Sequence, residues 1–96
     1  MTKTASAKAL NQSDKAAEHK LRWSKFGEEN LLGRTIVGVR YLTDKETAAM
    51  DWMHSCAVLV LNDGSLLFPS MDDEGNDGGA LFGQTKDGKE ITLPVI

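Results

Sequence analysis

Ninety-six residues of which 41% are apolar can bury one core and hardly more than one, so a single small domain is expected. Charge divides near Phe26: residues 1–25 carry six basic side chains against two acidic, residues 26–96 carry five against twelve, and the total is −3. An acidic body repels phosphate, which argues against nucleic acid as a partner. Only the N-terminal arm could release counterions.

No apolar core of a secretory signal follows Met1, and the longest apolar run, Cys56 to Leu61, is too short to span a bilayer. A single cysteine cannot form an internal disulfide, which suits a reducing compartment. The expectation is a cytoplasmic protein, not attached to a membrane, stabilised by packing and needing no cofactor.

Residues 2–12 are mostly Ala, Ser, Thr, Lys and Asn, too poor in apolar surface to offset their ordering entropy, and predict disorder. Ser13 as a cap, Asp14 in the first turn, Ala17 four residues before Leu21, and Gly27 as terminator predict a helix over 14–26. Its apolar residues lie around the whole cylinder. Residues 1–30 thus read as a basic, partly disordered arm and 31–96 as a small β-rich domain.

In that domain Arg34 to Leu42 alternates Val37, Val39 and Tyr41 with Ile36 and Leu42 on the other side, which predicts a strand. Thr43-Asp44-Lys45-Glu46 has the spacing of a capping box and predicts a short helix to about Trp52 or Met53. Cys56 to Asn62 and Ser65 to Pro69 flank Asp63-Gly64, which predicts a two-residue turn of type I′. That turn sets Leu61 opposite Leu66, Leu59 opposite Phe68, and Val60 opposite Leu67. A second such turn is predicted at Asp87-Gly88, setting Phe82 near Leu93. The fold class is mainly β (α+β), a small curled antiparallel sheet or SH3-like barrel with one short helical insertion and an N-terminal helical arm.

The densest cluster of chemistry is Asp72-Asp73-Glu74-Gly75-Asn76-Asp77, in which four carboxylates and an amide could offer oxygens to a cation. An EF-type loop needs glycine at its sixth position and glutamate at its twelfth, and neither Asp72 nor Asp73 as first residue supplies both. The bland reading is a solvated turn whose Asp and Asn bond their own backbone. No metal is therefore assigned. Gly75, Gly78, Gly79 and Gly83 lack the Gly-Lys-Ser/Thr ending of a phosphate cradle. His54 and Cys56 could pair as imidazole and thiolate, but nothing orients them, and a lone Cys opening an apolar strand is more often core. No catalytic residue is assigned, and an enzyme is not expected.

Among the large rings, Trp52 between Met50 and Met53 is the expected exposed anchor of an interface, set against a core role. The two apolar faces of the Asp63-Gly64 hairpin predict a homodimer, because a body of this size cannot easily cover both; the alternative is a monomer in which the 14–26 helix folds back over the second face.

From Leu31 to Gly83, the runs Leu-Leu-Gly-Arg-Thr-Ile-Val-Gly-Val-Arg, Leu-Asn-Asp-Gly-Ser, Pro-Ser-x-Asp-Asp-Glu-Gly-Asn and Leu-Phe-Gly resemble short uncharacterised bacterial proteins. The resemblance implies a stand-alone small domain without an assigned activity. It marks Asp72, Asp73, Glu74 and Asn76 as functional positions without a role. Binding to a protein partner is the leading expectation, with cation or cationic-ligand binding through loop 72–77 as the alternative.

Overall fold

The computed structural model describes residues 7–96, which fall into two units divided between Gly33 and Arg34. The first is one helix, α1, Ala7–Leu31. It is longer at both ends than the predicted 14–26. Residues 7–12, expected to be disordered, are helical, whereas residues 2–6 lie outside the described residues. Gly27 does not stop the helix, since one interior glycine costs only about 1 kcal/mol and Glu28 and Glu29 after it are good helix formers. Leu32 N–H still donates to the Glu28 carbonyl at 3.0 Å. The stop is Gly33, at φ 82°, the left-handed residue that closes helix ends. Leu21, Trp23 and Phe26 are exposed, and the two rings meet edge to face at 5.6 Å.

The second unit begins with β1, Ile36–Tyr41, followed by α2, Asp44–Ala49. Both halves of the predicted capping box form: the Thr43 hydroxyl accepts from Glu46 N–H at 3.1 Å, and the Glu46 carboxylate accepts from Thr43 N–H at 2.8 Å. Glu46 also takes the Arg40 guanidinium through two bonds, at 2.8 and 3.0 Å, tying α2 to β1. The helix ends earlier than expected, at Ala49, because Asp51 adopts φ 62° and turns the chain back so that Trp52 N–H donates to the Thr47 carbonyl.

Three strands, β1, β2 (Ala57–Leu61) and β3 (Leu66–Leu67), form one antiparallel sheet in that order, and β4 (Leu81–Gln84) pairs with β5 (Glu90–Leu93) in a second. The described residues thus form a small α+β structure with two antiparallel sheets. Strand pairing among the described residues does not join them into the single curled sheet or closed SH3-like barrel that was expected. The tail is tied back instead: Ser55 and Ile96 exchange two backbone bonds, and the Tyr41 hydroxyl donates to the Pro94 carbonyl at 2.8 Å.

Both hairpins sit where Asp-Gly placed them, but each register is one residue away from the prediction. Leu59 pairs with Leu67 and Val60 with Leu66, while Leu81 pairs with Leu93 and Phe82 with Thr92. The turns have three residues, not two. Leu61 N–H bonds the Ser65 carbonyl, Gly64 N–H bonds the Leu61 carbonyl, and only Gly64 has positive φ. Thr85, Gly88 and Lys89 repeat the arrangement. This is a type I turn followed by a left-handed glycine, in which Asp63 keeps an ordinary negative φ. A one-residue slip moves side chains to the other face. Phe68 therefore leaves the side of Leu59 and packs with the core of Leu42, Trp52, Cys56 and Val58, which Val60 also joins. Among the described residues, no helix is long and apolar enough to cross a membrane.

Candidate functional site

The segment Pro69–Gly79 joins the two sheets and is built on Asp77. One carboxylate oxygen of Asp77, Oδ1, accepts the backbone N–H groups of Met53, His54 and Gly78 at 3.1, 3.0 and 2.8 Å. The other, Oδ2, lies 2.7 Å from His54 Nδ1. The Asp77 carbonyl takes Met71 N–H at 2.9 Å and the Ser70 hydroxyl at 3.3 Å. The His54 ring first, then these amides, hold the Asp77 carboxyl at about 2, below the usual carboxylate range. Asp77 is thus the clasp that fixes the loop to the segment after α2.

Two glycines allow that closeness. A Cβ on Gly78 would lie 2.8 Å from the His54 carbonyl oxygen and 3.2 Å from Cys56 Cβ, and one on Gly79 would lie 2.7 Å from the Ser70 carbonyl oxygen. Trp52 completes the attachment by donating from Nε1 to the Gly75 carbonyl at 2.7 Å.

Asp72 organises the loop tip. Its Oδ1 accepts Glu74 N–H at 3.0 Å and Asn76 N–H at 3.2 Å, and its Oδ2 accepts the Asn76 side-chain amide at 2.8 Å. The Asn76 amide is the main cause of the lowered Asp72 pKa. Asn76 also donates to Glu74 Oε1 at 3.3 Å. Asp73 and Glu74 are exposed. Both oxygens of Asp72 and of Asp77 are therefore already engaged with the loop's own donors or with His54. Among the described residues, no group of three His, Cys, Asp or Glu side chains is arranged to hold a metal ion.

Of the predicted site residues, Asp72, Asp73, Glu74 and Asn76 come together in this loop. Trp52 does not stand out as a free anchor. It is only 7% exposed and packs edge to face on Phe68 at 5.9 Å. Its neighbours are the exposed ones: Met53 is 86% exposed, Met50 is also open, and Met71 on the loop is 62% exposed. Met53 and Met71 both hydrogen-bond Asp77 through their backbones, so the clasp brings two distant methionines to one place.

His54 and Cys56 are separated by burial. His54 is exposed beside Asp77, whereas Cys56 is fully buried, and burial pushes its thiol above the ordinary value. A buried thiol of raised pKa holds little thiolate, the form that attacks. Sequence reasoning missed Asp77 as a structural hub. The available signal was the Gly78-Gly79 pair directly after it, which marks close approach of another backbone. Compared with known proteins, the chain matches no family model, no curated protein and no solved structure.

Proposed function

We propose that this chain is a small cytoplasmic protein-binding module that works as a homodimer and carries no catalytic site. The observation that carries the reading is the exposure of Met53 and Met71, whose backbones the Asp77 clasp holds together, with Met50 also open three residues before Met53. Unbranched thioether side chains adapt to varied apolar shapes, and a fixed backbone beneath them lowers the ordering cost of contact. The free, buried Cys56 thiol supports a reducing compartment.

The alternative is a cation held through Asp72, Asp73, Glu74 and Asn76. It has fewer open oxygens to draw on, because Asp72 already accepts three hydrogen bonds. A photo-crosslinking residue placed at Met53, with a control at Lys86, tests the leading reading in native lysate. A discrete adduct from position 53 and none from position 86 is expected. The absence of any adduct from positions 53 and 71 overturns it.

A further inference from the structure

We infer that the methionine surface receives α1 of a second copy of this chain, which names the partner of the surface proposed above and rests on that reading. Charge complementarity between molecules carries the inference. Trp23 and Phe26 are exposed and three residues apart, so they share a helix face, with Ala16 and His19 at positions seven and four before Trp23. Lys15 and Arg22, seven apart, flank that face on one side and Lys20 flanks it on the other. Asp14 and Glu28 lie towards the opposite side of the cylinder, Glu18 lies just beyond Arg22, and Glu29, seven after Arg22, adds one acidic group to that flank. The aromatic stripe thus presents a border that is cationic on balance, three basic groups against one acidic.

The surface it would meet has the reverse character. Met53 and Met71 are exposed beside Asp77, and Asp73 and Glu74 on the same loop are exposed and carry no ion pair among the described residues. Methionine surfaces suit aromatic side chains because thioether sulfur contacts rings favourably. Acidic borders steer a cationic helix and fix its orientation. Each copy holds one such helix and one such surface, so a twofold pair would make the contact twice. Basic amphipathic helices also bind membrane surfaces, but a lipid has no need of the methionines, and the protein contact uses both features.

The test uses the full chain, with sedimentation or light scattering over a concentration series at low and high salt. The expected result is a reversible dimer that weakens as salt rises. Trp23→Ala, at an exposed position that costs little in folding, should weaken it about thirtyfold, the loss of a typical aromatic anchor. Asp73→Lys with Glu74→Lys should also weaken it, and Lys15→Glu with Lys20→Glu on the same chain should restore part of the affinity. Restoration is a result that misfolding cannot produce.

A chain that stays monomeric at every concentration overturns the inference, and so does a dimer indifferent to Trp23→Ala and to charge reversal. If the crosslinker at Met53 then captures a different protein, the binding-module reading stands without its dimer. If it captures nothing, both fall.

Discussion

Asp63-Gly64 and Asp77-Gly78 are the same dipeptide at two places, and the molecule uses it in opposite ways. At the first, Gly64 has φ 90° with nothing within 4 Å of a would-be Cβ, and Asp63 Oδ1 accepts Ser65 N–H two residues on. The turn's own hydrogen bonds are local, and the one distant partner is Arg34, whose Nε lies 3.2 Å from Asp63 Oδ2 in a partly exposed ion pair. At the second, Gly78 sits against His54 and Cys56, and Asp77 gathers backbone amides from residues 53 and 54. The first glycine is required by backbone conformation and the second by space. The dipeptide announces a turn in both cases, and only the fold decides which glycine is irreplaceable for which reason.

The comparison breaks most directly at the glycines. Gly78→Ala puts a methyl group 2.8 Å from a backbone oxygen that cannot swing aside, so the loop or the strand must move. An overpacking cost of about 2–3 kcal/mol is expected, which lowers Tm by roughly 10–20 °C in a domain of this size. Gly64→Ala meets no atom but must hold a left-handed backbone, at about 1–2 kcal/mol. Gly64→Asn should recover part of that loss, since asparagine tolerates this region. Gly78→Asn should recover none. Thermal melts of the four variants decide it, and a Gly64→Ala chain less stable than Gly78→Ala would refute the division.

What could be read in the sequence follows the same line between local and distant causes. The Thr43-to-Glu46 capping box was legible because both its bonds span three residues. The hairpins were legible in place but not in register. Two-residue and three-residue turns both favour Asp-Gly, and the deciding bond, Leu61 N–H to the Ser65 carbonyl, depends on how the strands settle. The end of α1 was misplaced for a related reason: Gly27 and Gly33 are equal as letters, and only the second reaches positive φ. The loop residues Asp72, Asp73, Glu74 and Asn76 were legible as a cluster. The engagement of Asp72 with the loop's own amides was not, and neither was the role of Asp77 as a clasp, because Met53 and His54, the partners that define it, lie more than twenty residues away. Trp52 was ambiguous in sequence because an aromatic beside methionines suits a core or an interface. The Gly75 carbonyl and the Phe68 ring decide for the core.

A smaller effect separates the two aspartates by pH. The Asp77 carboxyl is held at about 2, and that of Asp63 is lowered, first by Ser65 N–H. An unfolded aspartate titrates at about 3.9. A group whose folded pKa is depressed adds stability that is fully present above the unfolded value and is lost as pH falls through the folded one. Acid destabilisation should therefore develop as pH falls from about 4 towards about 2. Glu46, held at about 2 chiefly by the Arg40 guanidinium, acts in the same window. Asp77→Asn should flatten the acid limb of a Tm-against-pH curve more than Asp63→Asn does, because the Asp77 carboxyl, held at about 2 by His54 and the amides, is the more strongly depressed. Equal flattening by the two would show that the clasp holds its carboxylate no more firmly than the Asp63 turn does.

The smallest expected effect is that of calcium, and it bears on what the acidic loop is for. The ion takes about six to eight oxygens, drawn from carboxylates, carbonyls and water. In this loop Asp72 holds Glu74 N–H, Asn76 N–H and the Asn76 amide, and Asp77 holds three amides and the His54 ring. Binding through either aspartate would exchange these contacts for the ion and release the geometry that sets Met71 beside Met53. Only Asp73 and Glu74 could coordinate without that loss, and two exposed carboxylates on a loop form a weak, water-filled site. Millimolar calcium should therefore leave Tm unchanged. A rise of several degrees, absent in an Asp72→Ala, Asp73→Ala chain, would mean that the ion outbids the loop's own amides and that the clustered carboxylates exist for ligand binding rather than for the turn.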